Sequence, residues 1–164
     1  LYRQARKKLP ALVPASPPFE VQVGWRRETA QLWTTPDDGP PDGVERRKRK
    51  RFKLYFVENA YYFDRSGIYG SAAGGGDYGD NARRYAFFCA AALAALPRIA
   101  AGPMVLHAHD WHTALAPVFL RTWYANDPFY RRVSTVLSVH NAGFQGHYPP
   151  ETMDDLGLPW SIYN

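Results

Sequence analysis

The chain has 164 residues, 46% of them hydrophobic and 15% aromatic, which is enough apolar material for a buried core and the size of one domain or part of a larger one. Its net charge is +5, and its single cysteine, Cys89, excludes an internal disulfide framework and is typical of a reducing compartment. No apolar run approaches the ~18 residues of a membrane-spanning helix and no signal peptide is recognisable, so no membrane partner is expected.

The first part of the chain is patterned as β-structure. Residues 19–25 and 29–35 alternate apolar and polar side chains, and residues 53–59 form a compact apolar run that ends at Asn59. Alternation with a period of two is the pattern of a strand with one buried face. A strand is therefore predicted in each of these three segments.

Residues 36–51, PDDGPPDGVERRKRKR, separate the last two of these strands. Proline, glycine and charge dominate this segment, which predicts a loop inserted at about 36–51. Residues 46–51 hold six of the 20 basic residues, which leaves 14 basic against 15 acidic residues elsewhere. A nucleic-acid patch is one interpretation of this run. A solvated charge run is favoured and no nucleic-acid partner is expected, because no aromatic residues alternate with the charges.

The remaining chain alternates helices and strands. The predicted elements are a helix over residues 81–96 with Asp80 as its N-cap and Pro97 as its stop, a strand at 104–107, a helix over 112–124 that Pro117 should kink or shorten, a strand at 134–140 and a short helix near 149–157. This alternation is the signature of a parallel α/β sheet. The predicted fold class is α/β with a Rossmann-like parallel sheet.

Two polar segments follow the two predicted parallel strands: HAHDWH at residues 107–112 and HNAGFQG at residues 140–146. Ligands in such sheets bind beyond the carboxyl ends of the strands, so a functional site is expected here. This placement does not identify the chemistry. The sequence leaves open whether His140 has a functional or a structural role. Asn141 follows it, and asparagine is common in turns.

The histidine-rich segment has two interpretations. His107 and His109 face one way on an extended strand, and with Asp110 and His112 they offer ligands for zinc. The aspartate comes one residue too early for the metallo-hydrolase pattern H-x-H-x-D-H. On spacing alone, local packing of the histidines with Asp110 as a helix cap is favoured over a metal site.

A glycine-rich loop spans residues 67–79. It lacks the G-x-x-x-x-G-K-[ST] pattern and follows no clear strand, so a phosphate-binding P-loop is not expected. Tyr69 and Tyr78 would either stack on a sugar or anchor the loop, and a flexible connection is the simplest interpretation of the glycines. Cys89 lies on the apolar face of the helix predicted over residues 81–96 and is expected in the core.

Five segments resemble one protein family: YFVENAYYFDRSGIYG, DYGDNARRYAFFCAAAL, VLHAHDWHTALAPVFL, VLSVHNAGFQGHYPPE and LGLPWSIYN, in this order. Together they resemble bacterial glycogen synthases and plant starch synthases, the glucosyltransferases that extend α-1,4-glucans from ADP-glucose. The resemblance runs from about Gly24 to the end of the chain and is weakest in the basic segment. It is most specific where HAHDWH and HN-x-x-FQG occur together.

The resemblance implies a GT-B fold of two Rossmann-like domains, with residues 1–164 as part of the N-terminal, acceptor-side domain. The family's K-T-G-G-L loop and its C-terminal domain are expected to lie outside this segment, so the chain alone is expected to be inactive and marginally stable. The implied partners are a nucleotide-sugar donor (ADP-glucose or UDP-glucose), an α-1,4-glucan acceptor and the missing C-terminal domain. No metal or cofactor is implied. The implied location is the bacterial cytoplasm, or the plastid for a plant-type source.

The resemblance also assigns roles to residues. His140 would contact the transferred glucose and Asp110 would orient sugar hydroxyls, which makes these two the catalytic positions. His112 would have a packing role. The implied substrate-binding positions are Tyr69, Asn141 and His109. Two rival functions stay open at this point: a metal-dependent hydrolase that uses the HAHDWH cluster, and a noncatalytic glucan-binding module.

Overall fold

The structure is a computed structural model that describes residues 3–9, 11–36, 53–71 and 73–163. Its helices and strands, in chain order, are α1 Arg3–Lys8, β1 Val13–Pro14, β2 Phe19–Val23, β3 Arg26–Thr34, β4 Tyr55–Glu58, α2 Ala60–Phe63, α3 Asn81–Ile99, β5 Met104–His109, α4 Leu115–Thr122, β6 Val133–Ser138 and α5 Thr152–Leu156. Short 3-10 turns lie at Trp111–Thr113, Tyr130–Arg132 and Trp160–Ile162. The α/β class predicted from the sequence is confirmed.

The first four strands form an antiparallel sheet around β3, which pairs with β1, β2 and β4. Alternate residues of β2 are buried, as the period of two predicted, and they pack against α3. The sequence predicted three of these strands but not their antiparallel pairing. The apolar side chains that this sheet buries include Phe19, Val21, Val23, Ala30 and Leu32.

The predicted insert at about 36–51, including the basic residues 46–51, lies outside the described residues except for Pro36. The strands that flank it, β3 and β4, are antiparallel neighbours in which Thr34 pairs with Tyr55. The segment therefore connects two adjacent strands of one sheet.

The helix α3 is the centre of the core, and Phe87, Cys89 and Leu93 are fully buried on it. The core placement of Cys89 is confirmed, and burial raises the pKa of its thiol to about 12.

The prediction that Pro97 ends this helix is wrong, because the helix continues to Ile99. Proline cannot donate to the carbonyl four residues earlier, which is that of Leu93. The hydroxyl of Tyr130 donates to this carbonyl instead, at 2.8 Å, and so supplies the missing hydrogen bond.

Asp80 occupies the N-cap position of α3, but its side chain makes no capping hydrogen bond. Its carboxylate accepts two hydrogen bonds from Arg65, at 2.7 and 2.6 Å. Burial raises the pKa of the Asp80 carboxyl, but the hydrogen bonds and charge of Arg65 outweigh burial and hold this pKa below its usual value. The predicted cap is therefore an ion pair that ties the preceding loop to the helix.

The strands β5 and β6 are parallel, with Met104 paired to Val133 and His109 paired to Ser138. Their carboxyl ends therefore meet at one edge, as the sequence predicted.

The helix α4 begins only at Leu115, after a 3-10 turn, so Pro117 lies in its first turn where no intrahelical bond is lost. Pro117 shortens this helix rather than kinking it. Among the described residues, no helix combines the length and the apolar composition that crossing a membrane requires.

Candidate functional site

Asp110 follows β5 directly and connects the two parallel strand ends. Its backbone N–H donates to the carbonyl of Ser138 at 2.8 Å, and its Oδ1 accepts a hydrogen bond from the backbone N–H of His140 at 2.7 Å. Its φ of 58° and ψ of −179° lie in a region that is almost restricted to glycine. Such a conformation costs about 1–3 kcal/mol and is typical of functional sites.

The prediction that Asp110 caps the next helix is wrong, because its side chain makes no capping bond to the turn that follows. The carboxylate bonds to the backbone of His140, 30 residues away in sequence. Sequence spacing could not indicate this partner, since the partner is set by the parallel register of β5 and β6.

Three histidines gather beside this edge. His107 and His109 project from the same face of β5, with ring centroids 4.2 Å apart. His109 Nδ1 and His140 Nε2 share a hydrogen bond of 2.9 Å, and the rings are nearly parallel. His107 Nε2 shares a hydrogen bond of 2.8 Å with Ser138 Oγ. All three histidines are solvent-exposed.

His112 belongs to a different cluster. Its ring packs against Trp111 at 4.0 Å, Tyr85 at 4.8 Å and Tyr69 at 5.1 Å. Burial lowers the pKa of His112, although the charge of Asp110 acts in the opposite direction. Its Nε2 is buried, and no described residue forms a hydrogen bond with it. The structure thus places His112 in a position suited to the packing role that the resemblance implied.

The histidines of HAHDWH therefore do not converge on one point, because His112 lies away from His107 and His109. Within the described ranges, no group of three or more histidine, cysteine, aspartate or glutamate side chains has the arrangement of a metal site. The zinc interpretation consequently has no geometric support in this part of the chain.

A cavity of about 360 Å³ opens at the edge formed by Asp110. Its lining residues are Tyr69, Asp77, Asp110, Trp111, His112, Asn141 and Phe144. The fold thus brings together Tyr69, Asp110 and Asn141, three predicted site residues from three separate segments. The predicted residues His109 and His140 do not line this cavity. His140 is joined to the lining residue Asp110 through its backbone N–H, and His109 is joined to His140 through the ring nitrogens.

Sequence reasoning missed Asp77, Trp111 and Phe144 as site residues. Each lies inside one of the motifs DYGDN, HAHDWH and HNAGFQG, where the imidazole groups and Asp110 gave the stronger chemical signal. An adjoining cavity of about 540 Å³ shares these three residues and extends between the loops at residues 77–81 and 143–148. Aromatic faces combined with a few polar groups are the lining that binds small organic ligands, sugars among them.

The glycine-rich loop is closed rather than extended. Gly70 and Asp77 form a β-bridge, and the backbone N–H of Tyr78 donates to the carbonyl of Tyr69 at 2.9 Å. A side chain at Gly70 would lie 1.8 Å from the carbonyl oxygen of Gly76, so glycine is required there. The guanidinium of Arg65 lies 4.7 Å from the ring of Tyr78. Tyr78 therefore anchors the loop, whereas Tyr69 faces the cavity.

The sequence profile of the starch synthase catalytic domain matches residues 2–164, almost the whole chain. The chain belongs to the starch synthase catalytic domain family. It is 40% identical over 163 residues to the glycogen synthase of Syntrophotalea carbinolica, which covers 99% of this chain and 31% of that protein. It is also 42% identical over 127 residues to the glycogen synthase of Koribacter versatilis, covering 77% of this chain and 24% of the relative.

Among solved structures, the fold is similar to the catalytic domain of starch synthase IV from Arabidopsis thaliana bound to ADP and acarbose. The TM-score is 0.70 at 21% identity, with 92% of this chain and 27% of that chain covered. Within the starch synthase family, this chain thus spans about a third or less of the relatives that it matches. The family expected from the motifs is confirmed.

Proposed function

We propose that residues 1–164 form part of the acceptor-side domain of a retaining glucosyltransferase. The complete enzyme would transfer glucose from a nucleotide sugar to the non-reducing end of an α-1,4-glucan. The observation that carries this proposal is the cavity at the carboxyl edge of β5 and β6, where Tyr69, Asp110 and Asn141 meet in a chain of the starch synthase family.

The lining of this cavity supports a sugar ligand. The rings of Tyr69 and Trp111 offer flat apolar faces, and the side chains of Asp110 and Asn141 offer groups that hydrogen-bond hydroxyls. Retaining transfer passes through an oxocarbenium-like transition state, so fixing the sugar beside a carboxylate lowers the barrier through positioning and charge. In this proposal Asp110 orients sugar hydroxyls.

His140 has the other catalytic role in the proposal, as the residue that contacts the transferred glucose. Its backbone is held by Asp110 and its Nε2 by His109. These two hydrogen bonds fix the imidazole at the strand end, so that no reorganisation is needed as charge develops on the sugar. The rest of the enzyme would supply the cations that bind the leaving nucleotide, and the reaction would require no metal or cofactor.

ADP-glucose is the donor that we propose. The Arabidopsis starch synthase with this fold was solved with ADP and acarbose bound, which supports an adenine nucleotide donor and a glucan-like ligand. UDP-glucose is the alternative donor. The bacterial glycogen synthases among the relatives support a cytoplasmic location, and a plastid is the alternative for a plant-type source.

The test compares the enzyme expressed from the complete coding sequence with residues 1–164 alone. Transfer of labelled glucose from ADP-glucose and from UDP-glucose to glycogen is measured for both proteins. We expect transfer by the complete enzyme with ADP-glucose as the better donor, and none by the shorter chain. Absence of transfer with either donor, or hydrolysis dependent on bound zinc, would overturn the proposal.

A noncatalytic glucan-binding module is the second candidate for the chain by itself, because the cavity is formed entirely by residues of this chain. Isothermal titration of residues 1–164 with maltoheptaose addresses it. Binding without transfer would support this role for the isolated chain and would leave the proposal for the complete enzyme intact.

A further inference from the structure

The first turn of α3 carries an arginine that is completely buried. Arg84 is 0% exposed, and its Nε donates to the carbonyl of Tyr62 at 2.8 Å. Its Nη1 donates to the carbonyl of Ile68 at 3.0 Å and to Oδ1 of Asn81 at 2.5 Å. Burying a guanidinium is costly unless its donors are satisfied, and here they join α3 to the short helix α2 and to the loop that follows it.

Asn81 and Tyr85, which lie on the same face of α3 as Arg84, form hydrogen bonds with the same loop, at residues 68 and 69. Nδ2 of Asn81 donates to the carbonyl of Tyr69 at 2.8 Å, and the hydroxyl of Tyr85 donates to the carbonyl of Ile68 at 3.3 Å. Positions 81, 84 and 85 share a face because residues three and four apart are neighbours on a helix. Three side chains of α3 thus fix two consecutive carbonyls of the loop.

The carbonyl that Asn81 holds belongs to Tyr69, a residue that lines the 360 Å³ cavity beside Asp110. The side chain of Tyr69 is 49% exposed, and its ring rests on that of His112 at 5.1 Å. A ring supported on one side keeps its position only if its backbone is held, and the carbonyl of Tyr69 is held by Asn81 and by the backbone N–H of Tyr78.

We propose that Asn81 and Arg84 are positioning residues, which place the ring of Tyr69 for binding of the acceptor glucan. The proposal rests on the proposed function, because it assigns the cavity to a glucan. Asn81 borders the adjoining cavity, but Asn81 and Arg84 are only 1% and 0% exposed, so both act through the groups that they hold. Asn81 holds the Tyr69 carbonyl, and Arg84 holds Asn81 and the carbonyl of Ile68.

Asn81→Asp separates positioning from folding. The substituted carboxylate keeps the acceptor for Arg84 Nη1 and places a negative charge at the start of α3, where helix N-termini favour it. It replaces the donor to the Tyr69 carbonyl with an oxygen atom, which cannot donate and which repels that carbonyl. In the full-length enzyme we expect an unchanged melting temperature and a rise of about five- to tenfold in the KM for glucan, the effect of one lost hydrogen bond. The Kd for maltoheptaose should rise equally, with kcat and the KM for ADP-glucose unchanged.

A double-mutant cycle shows whether the effect passes through Tyr69. In a Tyr69→Ala background, Asn81→Asp should cause no further change in KM or Kd, because there is no longer a ring to position. Arg83→Gln is the matched control: Arg83 pairs with Asp155 at 2.5 Å, away from the cavity, so its loss should leave glucan affinity unchanged. Arg84→Lys should raise the KM in the same direction, and if that variant fails to fold, the Asn81→Asp results decide.

The proposal is overturned if Asn81→Asp leaves glucan affinity unchanged in an active enzyme, or if its effect persists in full in the Tyr69→Ala background. An enzyme that binds maltoheptaose without transferring glucose would contradict the proposed function while still testing the positioning role through Kd. If the wild type neither transfers glucose nor binds maltoheptaose, both proposals fail.

Discussion

The two sheets of this chain differ in how they are covered. The antiparallel sheet buries the apolar side chains of one face, with Val23 and Leu32 each 1% exposed. The parallel pair is more open: Val105 is 64% and Val136 is 46% exposed on one face, and Leu137 is 48% exposed on the other. Most strand residues of the core come from the antiparallel sheet, to which the parallel pair adds Val133. The parallel pair carries the polar groups and the strained backbone of the site at its carboxyl edge. The antiparallel sheet therefore contributes more to the core and the parallel pair more to the site, while α3 packs on the antiparallel sheet and holds the loop that carries Tyr69.

The largest expected effect tests this division. Leu32, on β3 of the antiparallel sheet, is 1% exposed, so Leu32→Ala should reduce the free energy of unfolding by about 2–5 kcal/mol. Val105→Thr, on the open face of the parallel pair, should change it by less than about 0.5 kcal/mol. The measurement is urea unfolding of residues 1–164 in sucrose, which raises the stability of a marginal chain. Equal losses for the two variants would show that the two sheets contribute alike to stability.

The second prediction concerns catalysis at the carboxyl edge. In the full-length enzyme, His140→Ala should lower kcat by about 10²-fold, the cost of one well-placed donor at developing charge. Nucleotide affinity should hardly change, because the nucleotide is proposed to bind the other domain. Folding should survive, since His140 is exposed. Steady-state transfer, nucleotide binding and melting temperature are measured on the same protein, and a kcat within a few-fold of wild type would show that His140 is structural.

The third prediction concerns the proline inside α3. Tyr130→Phe leaves the buried carbonyl of Leu93 without a donor and should cost about 1–3 kcal/mol of unfolding free energy. Pro97→Ala restores a backbone N–H that can reach this carbonyl, so the same Tyr130→Phe change should cost less in that background. Urea unfolding of the four proteins measures the coupling, and additive losses would show that the Tyr130 hydroxyl does not compensate for the proline.

The smallest effect is expected for the basic run. Replacement of residues 46–51 by glycine and serine should change stability by less than about 0.5 kcal/mol, since the run connects two strands that already pair with each other. Thermal unfolding of the variant measures this. A large fall in melting temperature would mean that the run packs against the sheet and that the loop prediction is wrong.

The sequence by itself indicated the strands β2 to β6 and the helices α3 to α5, because periods of two and 3.6 report which side chains share a buried face. It did not indicate the short elements α1, β1 and α2. It also predicted where the candidate site lies, since Asp110 and His140 each come after a parallel strand and such ends meet at one edge. The motifs were sufficient to predict the family. Periodic patterns and motifs can be recognised in a short segment of sequence, without knowledge of the rest of the chain.

Only the tertiary structure decided which distant groups meet. Tyr130 allows α3 to continue through Pro97, and Asp110 binds the backbone of His140 rather than capping a helix. The histidines of one motif separate into an exposed cluster and an aromatic one, and Arg84 turns inward to hold the loop that carries Tyr69. The hydrogen bonds among these contacts join residues at least 16 positions apart along the chain. Local pattern cannot predict such contacts, because the strand register and the packing of α3 set them.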